Sequence, residues 1–552
     1  MTLKFNTINN SATAGIWLAS GARGVALNQN NMTDNATGLR NEATAPAIDA
    51  TENWWGSDTG PFNTIDRPAG TGDEIVNGAG AATSFIEYLC DEAPTTAVSS
   101  NGRCDGLTQT EVLFVAAGHS PDVSPNGRFL TFGSTADLNG DRSLGVRNLD
   151  EGEEVFILNR KPSKRPGSRC LGGLNPGTAC IRQSECIGDP NADPRVLDGA
   201  CALISQITNT TAFTVVAAPR VTKRGDVVFA DTGNPAGIMD GPPNPDGSFE
   251  VMQWSRREFR RQRPVDPNKV ITIVTRGSDE QDSQRPGVSA NGNFVVFESA
   301  TLPTGPAGDE PCTSATGGHC GNDEGNSEIF MRDTQRKQIV QMTDQPTADS
   351  LRPSTQSGLQ VLFDSTADLT GGNGDGNREL FLMTLRSGSW GTEQLTHTGE
   401  PVQNYAGQVA KRGKAAVFTS NGDLVNDDPM GGNPDGNREI FLWERGQITQ
   451  VTHTPVGADN ANPQMNQRGR FVVFESTASD LDPSSPVDDD LTNRRVYLHD
   501  RLTPGAFKLL SLNGSRTNTL PRLSKGRFTV WQSTSNLTGE NRIYMFDRQE
   551  DN

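Results

Sequence analysis

The most regular residues with chemical potential are oxygen-bearing side chains in two nearly identical stretches, GGNGDGNRELFL at 371 to 382 and GGNPDGNREIFL at 431 to 442. In each stretch asparagine, aspartate, asparagine and glutamate occupy alternate positions. Calcium is bound by about 6 to 8 oxygen ligands of this kind, so calcium is the candidate cofactor. The candidate ligands are Asn373, Asp375, Asn377 and Glu379 in the first stretch and Asp427, Asn433, Asp435, Asn437 and Glu439 in the second.

The same spacing also fits a structural use. The EF-hand pattern is not met, because the position that requires glycine is Arg378 or Arg438 and the glutamate comes too early. Asparagine and aspartate commonly bond nearby backbone amides in turns, and the glutamate could accept hydrogen bonds from a neighbouring repeat. Three further loops, 148–154, 244–250 and 322–328, show the same alternation. The turn and the calcium interpretation both stay open.

Motifs for catalysis are missing from the sequence. It contains no G-x-S-x-G nucleophile elbow, no H-E-x-x-H zinc motif, no Walker loop and no G-x-G-x-x-G after a strand. The spacing of His119, His397, His453 and His499 selects no triad, which is recognised by geometry. The catalytic residues are therefore unknown, and a binding protein is a better interpretation than an enzyme.

The cysteines indicate the compartment. They are Cys90, Cys104, Cys170, Cys180, Cys186, Cys201, Cys312 and Cys320. Their number is even, they are grouped locally, and the paired C-x-x-C spacing of zinc sites is missing. We therefore predict disulfides and an extracellular, cell-surface or periplasmic location. Proximity favours Cys312 with Cys320. It also favours Cys90 with Cys104, whereas the pairing of the other four stays open.

One sequence unit recurs and positions the candidate ligands. Its seven copies begin at Pro121, Pro219, Pro286, Pro353, Gly407, Pro463 and Pro521. A copy such as PGVSANGNFVVFESATL alternates β-branched or aromatic residues between glycine turns, and an apolar segment such as EIFMR follows it. This pattern is typical of antiparallel strands. Four short strands in a unit of about 40 to 50 residues predict one blade of a propeller.

The two ends of the repeat array are predicted to pair with each other. The seventh copy stops at Asp547 before its outermost strand, and an extra strand, TEVLFV at 110 to 115, precedes the first copy. Pairing the two segments would remove an exposed sheet edge and close the ring.

The repeats resemble those of the TolB-like, WD-like propeller family, which share the opening P-x-x-S-x-x-G-x-x-V-x-F-x-S and a following D/E-I-F strand. The resemblance covers residues 110 to 548 and implies an all-β fold with a seven-bladed β-propeller there, interrupted by a Cys-rich insertion at 161–205. It implies no single function, because propellers serve in binding, scaffolding and catalysis alike.

The N-terminal residues 1–97 differ from the repeats. They contain asparagine-rich turns about 22 residues apart, followed by IDATENWWGSDTGPFN at 48 to 63. These features resemble the C-terminal coils of a right-handed parallel β-helix of the pectate-lyase-like or NosD-like kind. The resemblance implies stacked asparagines that bond one another and a core capped by Trp54 and Trp55. We expect further coils upstream, because about three repeats are needed for stability, and a linker at 98–109.

Charge restricts the partners. Asp and Glu number 67 against 49 Lys and Arg, a net charge of -18. This average field repels nucleic acid and anionic membrane surfaces. The sequence also lacks an apolar run of about 18 residues that would span a bilayer.

Blade topology nevertheless predicts one basic face opposite an acidic one. The basic face is formed by the turns between the first and second strands and by the loops between the third and fourth. Its turn residues are Arg128, Lys223, Arg224, Lys411, Arg412, Lys414, Arg468, Arg470, Lys525 and Arg527. The loop SRREFRRQRP from Ser255 adds the candidate partner-binding residues Arg256, Arg257, Arg260, Arg261 and Arg263. We interpret this loop as a solvated hairpin.

These features predict a non-enzymatic binding or scaffold protein, secreted or held at the cell surface, whose propeller binds a protein or an acidic glycan and is stabilised by calcium. The alternative is a carbohydrate-active enzyme, a lyase or hydrolase of acidic polysaccharide. Its catalytic residues would then lie in upstream β-helix coils or in the propeller channel.

Overall fold

A computed structural model describes the chain except for residues 1, 5, 21, 23–24, 29, 44–47, 51–52, 54, 56–60, 62, 64–72, 78–82, 85–111, 137, 139–151, 163–167, 172–178, 181–199, 209–214, 234–246, 262–269, 276–281, 305–309, 318–319, 411, 426–431, 483–492, 504, 512–515, 525, 536–538, 540 and 549–552. Eight residues singled out above therefore lie outside the described part: Trp54, Cys90, Cys104, Cys186, Arg263, Lys411, Asp427 and Lys525. In the part that is described, no helix is long and apolar enough to cross a membrane.

The N-terminal strands form parallel coils. They are β1 (Thr2–Lys4), β2 (Thr7–Asn9), β3 (Ile16–Leu18), β4 (Ala26–Asn28), β5 (Asn31–Thr33), β6 (Leu39–Asn41), β7 (Ile48–Asp49), β8 (Ile75–Asn77) and β9 (Thr83–Ser84). Their sheets have the orders β1-β4-β7-β9, β2-β5 and β3-β6-β8, and all of their pairings are parallel. The predicted solenoid-like fold is therefore confirmed.

Asparagine side chains connect these coils. Asn6 Nδ2 donates to Asn30 Oδ1 at 3.0 Å, and Asn30 Nδ2 donates to Asn53 Oδ1 at 3.0 Å. The three asparagines are 24 and 23 residues apart, slightly more than the predicted period. Trp55 is fully buried in the apolar core beside Leu27. The predicted stacking of asparagines is thus confirmed. Each asparagine side chain makes hydrogen bonds to polar groups of the next coil that would otherwise need water.

Seven antiparallel sheets follow, one for each sequence repeat. Blade 1 contains β11 (His119–Val123), β12 (Phe129–Ser134), β13 (Glu154–Pro162) and β16 (Ala200–Gln206), extended by β14 (Ser168–Leu171) and β15 (Ala179–Cys180); blade 2 contains β17 (Val216–Val221), β18 (Val227–Asp231), β19 (Glu250–Trp254) and β20 (Ile271–Ile273), with helix α1 (Arg256–Arg261) between the last two. Blade 3 contains β21 (Ser283–Val288), β22 (Phe294–Ser299), β24 (Glu328–Asp333) and β25 (Gln338–Gln341), with β23 (Glu310–Ser314) parallel to β25.

The remaining blades repeat the same order. Blade 4 contains β26 (Ser350–Ser354), β27 (Gln360–Ser365), β28 (Glu379–Arg386) and β29 (Ser389–Gln394); blade 5 contains β30 (Asn404–Val409), β31 (Ala415–Ser420), β32 (Glu439–Glu444) and β33 (Gln447–Gln450). Blade 6 contains β34 (Asn460–Met465), β35 (Phe471–Ser476), β36 (Arg495–Asp500) and β37 (Phe507–Leu509); blade 7 contains β38 (Arg516–Leu523), β39 (Phe528–Ser535), β40 (Asn541–Asp547) and β10 (Val112–Ala117).

The ring closes as predicted. Strand β10 is the outermost strand of blade 7 and pairs antiparallel with β40, so the chain segments before blade 1 and at the end of blade 7 share one sheet. The first strands of neighbouring blades contact one another in an unbroken cycle, including β38 with β11. The all-β, seven-bladed propeller is confirmed, and closure satisfies the outer edge of blade 7.

Stacked aromatic pairs form the centre of the blades. In blade 3 the rings of Phe297 and Phe330 lie 5.9 Å apart, and in blade 5 those of Phe418 and Phe441 lie 5.6 Å apart. Each pair joins a second strand to a third strand, and all four rings are fully buried. Such pairs add attraction beyond the burial of their area, which explains the aromatic residue at this position of the repeat.

A glycine in the first turn of each blade allows it to approach the preceding blade. Gly358, between β26 and β27, packs on the ring of Phe294 from blade 3. Gly526 packs in the same way on Phe471 from blade 6. Both glycines have positive φ, so the turn and the close approach both select glycine.

We expect Gly358→Ala to destabilise the propeller more than Gly469→Ala. The two glycines occupy the same turn position, with φ of 76° and 73°, so each alanine carries a backbone cost of about 1–2 kcal/mol. A Cβ at Gly358 would lie 2.0 Å from Phe294, whereas one at Gly469 would meet its nearest neighbour at 3.4 Å. Overpacking adds about 1–3 kcal/mol at Gly358 alone. Urea unfolding measures the difference, and equal losses would contradict the interblade contact.

Candidate functional site

A buried glutamate begins the third strand of five blades. A threonine that follows the fourth strand donates its hydroxyl hydrogen to this carboxylate in four of them. The pairs are Thr208 with Glu154, Thr275 with Glu250, Thr396 with Glu379, and Thr452 with Glu439. The same hydroxyl oxygen accepts the next amide of the third strand, as from Ile440 N–H at 2.8 Å. One threonine thus satisfies a carboxylate and fixes the register of two strands.

The glutamates of blades 4 and 5 also bind the following blade. Asn404, the first residue of blade 5, donates to Glu379 Oε2 at 3.1 Å. Asn460, the first residue of blade 6, donates to Glu439 Oε2 at 3.0 Å, while Thr454 N–H donates to Glu439 Oε1 at 2.7 Å. The predicted acceptance of hydrogen bonds from a neighbouring repeat is therefore confirmed at these two positions.

The asparagines of the alternating loops form turns. In blade 4, Asn373 Nδ2 donates to the Asn377 carbonyl oxygen at 2.9 Å, and Asn377 Nδ2 donates to Thr398 Oγ1 at 2.8 Å. Asp375 is exposed and accepts from Glu400 N–H at 2.9 Å. The loop of blade 5 repeats the pattern, with Asn433 Nδ2 donating to the Asn437 carbonyl, Asn437 donating to Thr454, and Asp435 exposed.

The fit of these loops to calcium is mixed. Several oxygens are unoccupied acceptors: Oδ1 of Asn373, Asn377, Asn433 and Asn437 accepts no hydrogen bond within the described residues. The carboxylates of Glu379 and Glu439 are instead surrounded by protein donors. Among the described residues, no three or more His, Cys, Asp or Glu side chains converge to hold a metal. The hydrogen bonds are those of a turn, and the calcium hypothesis stays a prediction.

We expect Thr452→Val to destabilise the propeller by about 1–3 kcal/mol. The substitution keeps the shape of the side chain but leaves the buried Glu439 carboxylate and the Ile440 amide without this partner, and an unsatisfied buried group carries a cost of this order. Thr449→Val, on an exposed position of β33, is the matched control and should be nearly neutral. Chemical unfolding compares the two, and a neutral Thr452→Val would refute the anchoring role.

The corresponding glutamate of blade 3 is incompletely satisfied. Glu328 Oε1 accepts from Gln345 N–H at 2.6 Å and from Asn326 Nδ2 at 2.8 Å, whereas Oε2 has no hydrogen-bond partner within the described residues. Burial raises the pKa of Glu328 to about 7. Because its folded pKa is raised above the ordinary value of 4.5, the folded state keeps the proton to a higher pH than the unfolded state does.

The stability contribution of Glu328 is therefore present at low pH and is lost as the pH rises from about 4.5 to about 7. The unfolding free energy of the wild-type protein should fall between about pH 5.5 and 7.5. In Glu328→Gln this fall should be smaller by about 1–2 kcal/mol. Glu324→Gln, at an exposed glutamate of the same loop, is the control. Urea unfolding at the two pH values measures the effect, and an unchanged pH dependence would contradict a raised pKa.

On the basic face Arg470 and Arg527 form ion pairs with Asp500 and Asp547, and two further groups of arginines can be distinguished. In the first group the guanidinium stacks on a phenylalanine of the preceding blade: Arg160 on Phe528 at 3.4 Å, Arg256 on Phe129 at 4.5 Å and Arg548 on Phe471 at 4.0 Å. Arg160 and Arg548 also donate to carbonyl oxygens in the first turn of their own blades. Cation–π contact and hydrogen bonding give these side chains a role in joining blades.

The second group lies on helix α1 and around a cleft of about 640 Å³ between blades 2 and 3. The loop that contains α1 was interpreted as a solvated hairpin, and this interpretation was wrong. Phe259 is buried against Trp254, with ring centroids 5.3 Å apart. Burying this ring lets the flanking segment coil into a helical turn, with Arg257, Arg260 and Arg261 exposed.

Positive charge dominates this cleft. It is lined by five arginines (Arg224, Arg256, Arg257, Arg260 and Arg261) and by two carboxylates, Asp226 and Glu258. Glu258 lies 3.5 Å from Arg261. Asp226 Oδ1 accepts the backbone N–H of Arg256 at 3.0 Å. Within the described residues, the other four arginines form no ion pair, so the cleft keeps an excess of positive charge.

Burial and, after it, like charges perturb Arg256 in the lining of the cleft. Burial, followed by the charges of Arg260 and Arg128, lowers the pKa of Arg256 to about 10. The guanidinium still carries its charge at neutral pH. An anion that enters the cleft would relieve the repulsion between these arginines. Groups with a perturbed pKa in a cleft mark candidate binding sites.

The disulfide prediction is confirmed at one pair. Cys312 and Cys320 are bonded, with Cα atoms 6.1 Å apart, and the bridge holds the end of β23 to the loop that follows it. In blade 1 the backbone register places Cys170 opposite Cys201. The other predicted pairings lie outside the described side chains.

Comparison with known proteins gives likenesses in fold. Neither the models of protein families nor the curated proteins include a match. Similar solved structures include an oligogalacturonate lyase in complex with manganese (10% identity, 81% of this chain and 95% of that chain, TM-score 0.45) and a putative TolB from Agrobacterium tumefaciens (16% identity, 62% and 93%, TM-score 0.34). An acylaminoacyl peptidase from Pyrococcus horikoshii also matches (10% identity, TM-score 0.41), over 78% of this chain and 51% of its own. The predicted seven-bladed propeller preceded by parallel coils is shown by the strand order and pairing of this chain itself.

Proposed function

We propose that this chain is a non-enzymatic binding protein whose propeller captures an anionic partner, a protein or a glycan, in the arginine cleft between blades 2 and 3. The observation that carries the proposal is the cluster of five arginines with only two carboxylates around one cleft, of which Arg261 alone forms an ion pair within the described residues. Planar guanidinium groups bind carboxylates and sulfates through two parallel hydrogen bonds, which suits them to such partners.

The surroundings of the cleft support a preformed site. Helix α1 is fixed by the buried Phe259, and Arg256 is fixed by its contact with Phe129. Arginines held in place before binding lose less conformational freedom when the partner arrives. The net charge of -18 makes this local field stand out, because an anionic partner is repelled elsewhere and attracted here.

The proposed location is extracellular, cell-surface or periplasmic. The Cys312–Cys320 disulfide supports it, because such bonds persist mainly in oxidising compartments. A closed ring of blades also suits a scaffold that presents one face to a partner without changing shape.

The double variant Arg257→Ala/Arg260→Ala tests the proposal. Both side chains are exposed and make no ion pair within the described residues, so the fold should be unaffected. Binding to alginate polymer or to polyglutamate, measured by calorimetry at about 0.15 M salt, should weaken by about tenfold or more, since hydrogen bonds to charged groups are among the stronger ones.

The matched control is Arg412→Ala/Arg468→Ala, which removes the same charge from exposed turns of the same face in blades 5 and 6. It should leave affinity nearly unchanged. Equal weakening by both double variants would mean that only net charge matters, and wild-type protein that binds neither polyanion would overturn the proposal.

A further inference from the structure

A second cleft of about 730 Å³ lies beside the arginine cleft, between the outer strands of blades 3 and 4. Its apolar lining includes Trp390, Phe294 and Met331, and Trp390 is half-buried on the core of these blades. Hydroxyl and amide side chains, among them Ser314 and Gln338, complete it together with the ion pair of Asp333 and Arg336. Aromatic rings combined with neutral hydrogen-bonding groups suit a ligand with apolar faces and many hydroxyls.

The two clefts share lining residues. Asn293 and Gln335 line both of them, so the cleft beside helix α1 adjoins the cleft that contains Trp390 across the turns of blade 3. Asp333 fixes the junction, because its Oδ1 accepts the N–H groups of Gln335 at 2.9 Å and of Arg336 at 3.0 Å. The arginine cleft is therefore one end of a longer site.

We propose that this groove binds an extended acidic oligosaccharide, with the arginine cleft holding its carboxylate or sulfate groups and the face of Trp390 stacking on a sugar ring. This inference rests on the proposed function and specifies its partner. A ligand that fills both clefts needs anionic groups in the first and rings with hydroxyl groups in the second. A chain of uronic acids meets both needs, because every unit carries a carboxylate, a ring and hydroxyl groups.

The backbone of the second cleft favours a glycan over an acidic peptide. Its floor includes residues of β24 and β25, whose antiparallel ladder is formed from Phe330–Gln341 to Asp333–Gln338. A peptide could not add a strand to β24 or β25, because each is paired on both sides, and could add one only at the outer edge of β23 or β29. Recognition there depends on side chains, and rings with hydroxyl groups fit them.

Three probes of similar length separate charge from ring stacking. Alginate hexasaccharide has rings and carboxylates, hexaglutamate has carboxylates without rings, and cellohexaose has rings without charge. Calorimetry should show alginate binding more tightly than either of the others. Trp390→Ala should weaken alginate binding by about two- to tenfold, the range expected for one aromatic contact, and should leave hexaglutamate binding unchanged.

Two further variants control for misfolding of Trp390→Ala and for the loss of any exposed tryptophan. Gln335→Ala at the exposed junction should weaken alginate binding without disturbing the core that Trp390 contacts. Trp17→Ala removes an exposed tryptophan of the N-terminal coils and should change nothing. If hexaglutamate binds as tightly as alginate and Trp390→Ala and Gln335→Ala affect neither, the glycan groove is overturned while the arginine site stands. If Arg257→Ala/Arg260→Ala also has no effect on either anion, the proposed function fails as well.

Discussion

The hydrogen bond between a buried glutamate and the threonine that follows the fourth strand organises this propeller. A carboxylate removed from water is costly unless donors surround it, and here the donors come from three places. In blade 5 the Thr452 hydroxyl comes from the same sheet, Thr454 from the following loop and Asn460 from the next blade. The carboxylate is satisfied only when all three segments are in place, so strand register and the docking of the next blade are coupled.

Blade 6 shows how the same position works without the carboxylate. Arg495 replaces the glutamate and donates to the carbonyl oxygens of Thr477 and Asn493. Ser511 keeps the other half of the arrangement, because its hydroxyl oxygen accepts Val496 N–H at 2.9 Å. A hydroxyl after the fourth strand is thus retained where the charge at the start of the third strand is reversed. Fixing the third-strand amide is the shared requirement, and the charged partner is adaptable.

Much of this architecture could be predicted because it depends on local and repeated features. Alternation of apolar residues, turn glycines and seven copies specify the blades, and the unmatched strand near Val112 specifies closure. The structural role of each charged residue could not be predicted in this way. Arg256 and Arg257 are adjacent, yet one stacks on Phe129 from another blade and the other is exposed. That difference arises from contacts between repeats distant in sequence, and the short helix arises from burial of Phe259, which the surrounding arginines conceal in the sequence.

Charged residues are distributed unevenly over the surface of the propeller. Acidic residues are in large excess overall, and the alternating loops place exposed carboxylates such as Asp375 and Asp435 on the face opposite the arginine cleft. Because salt screens charges over about 8 Å under physiological conditions, the proposed partner would feel the arginines of blades 2 and 3 only at short range. Repulsion by exposed carboxylates over the same short range limits non-specific contact with the acidic parts of the surface. In the proposed binding mode, the arginines attract the anion locally while the acidic surface around them repels it.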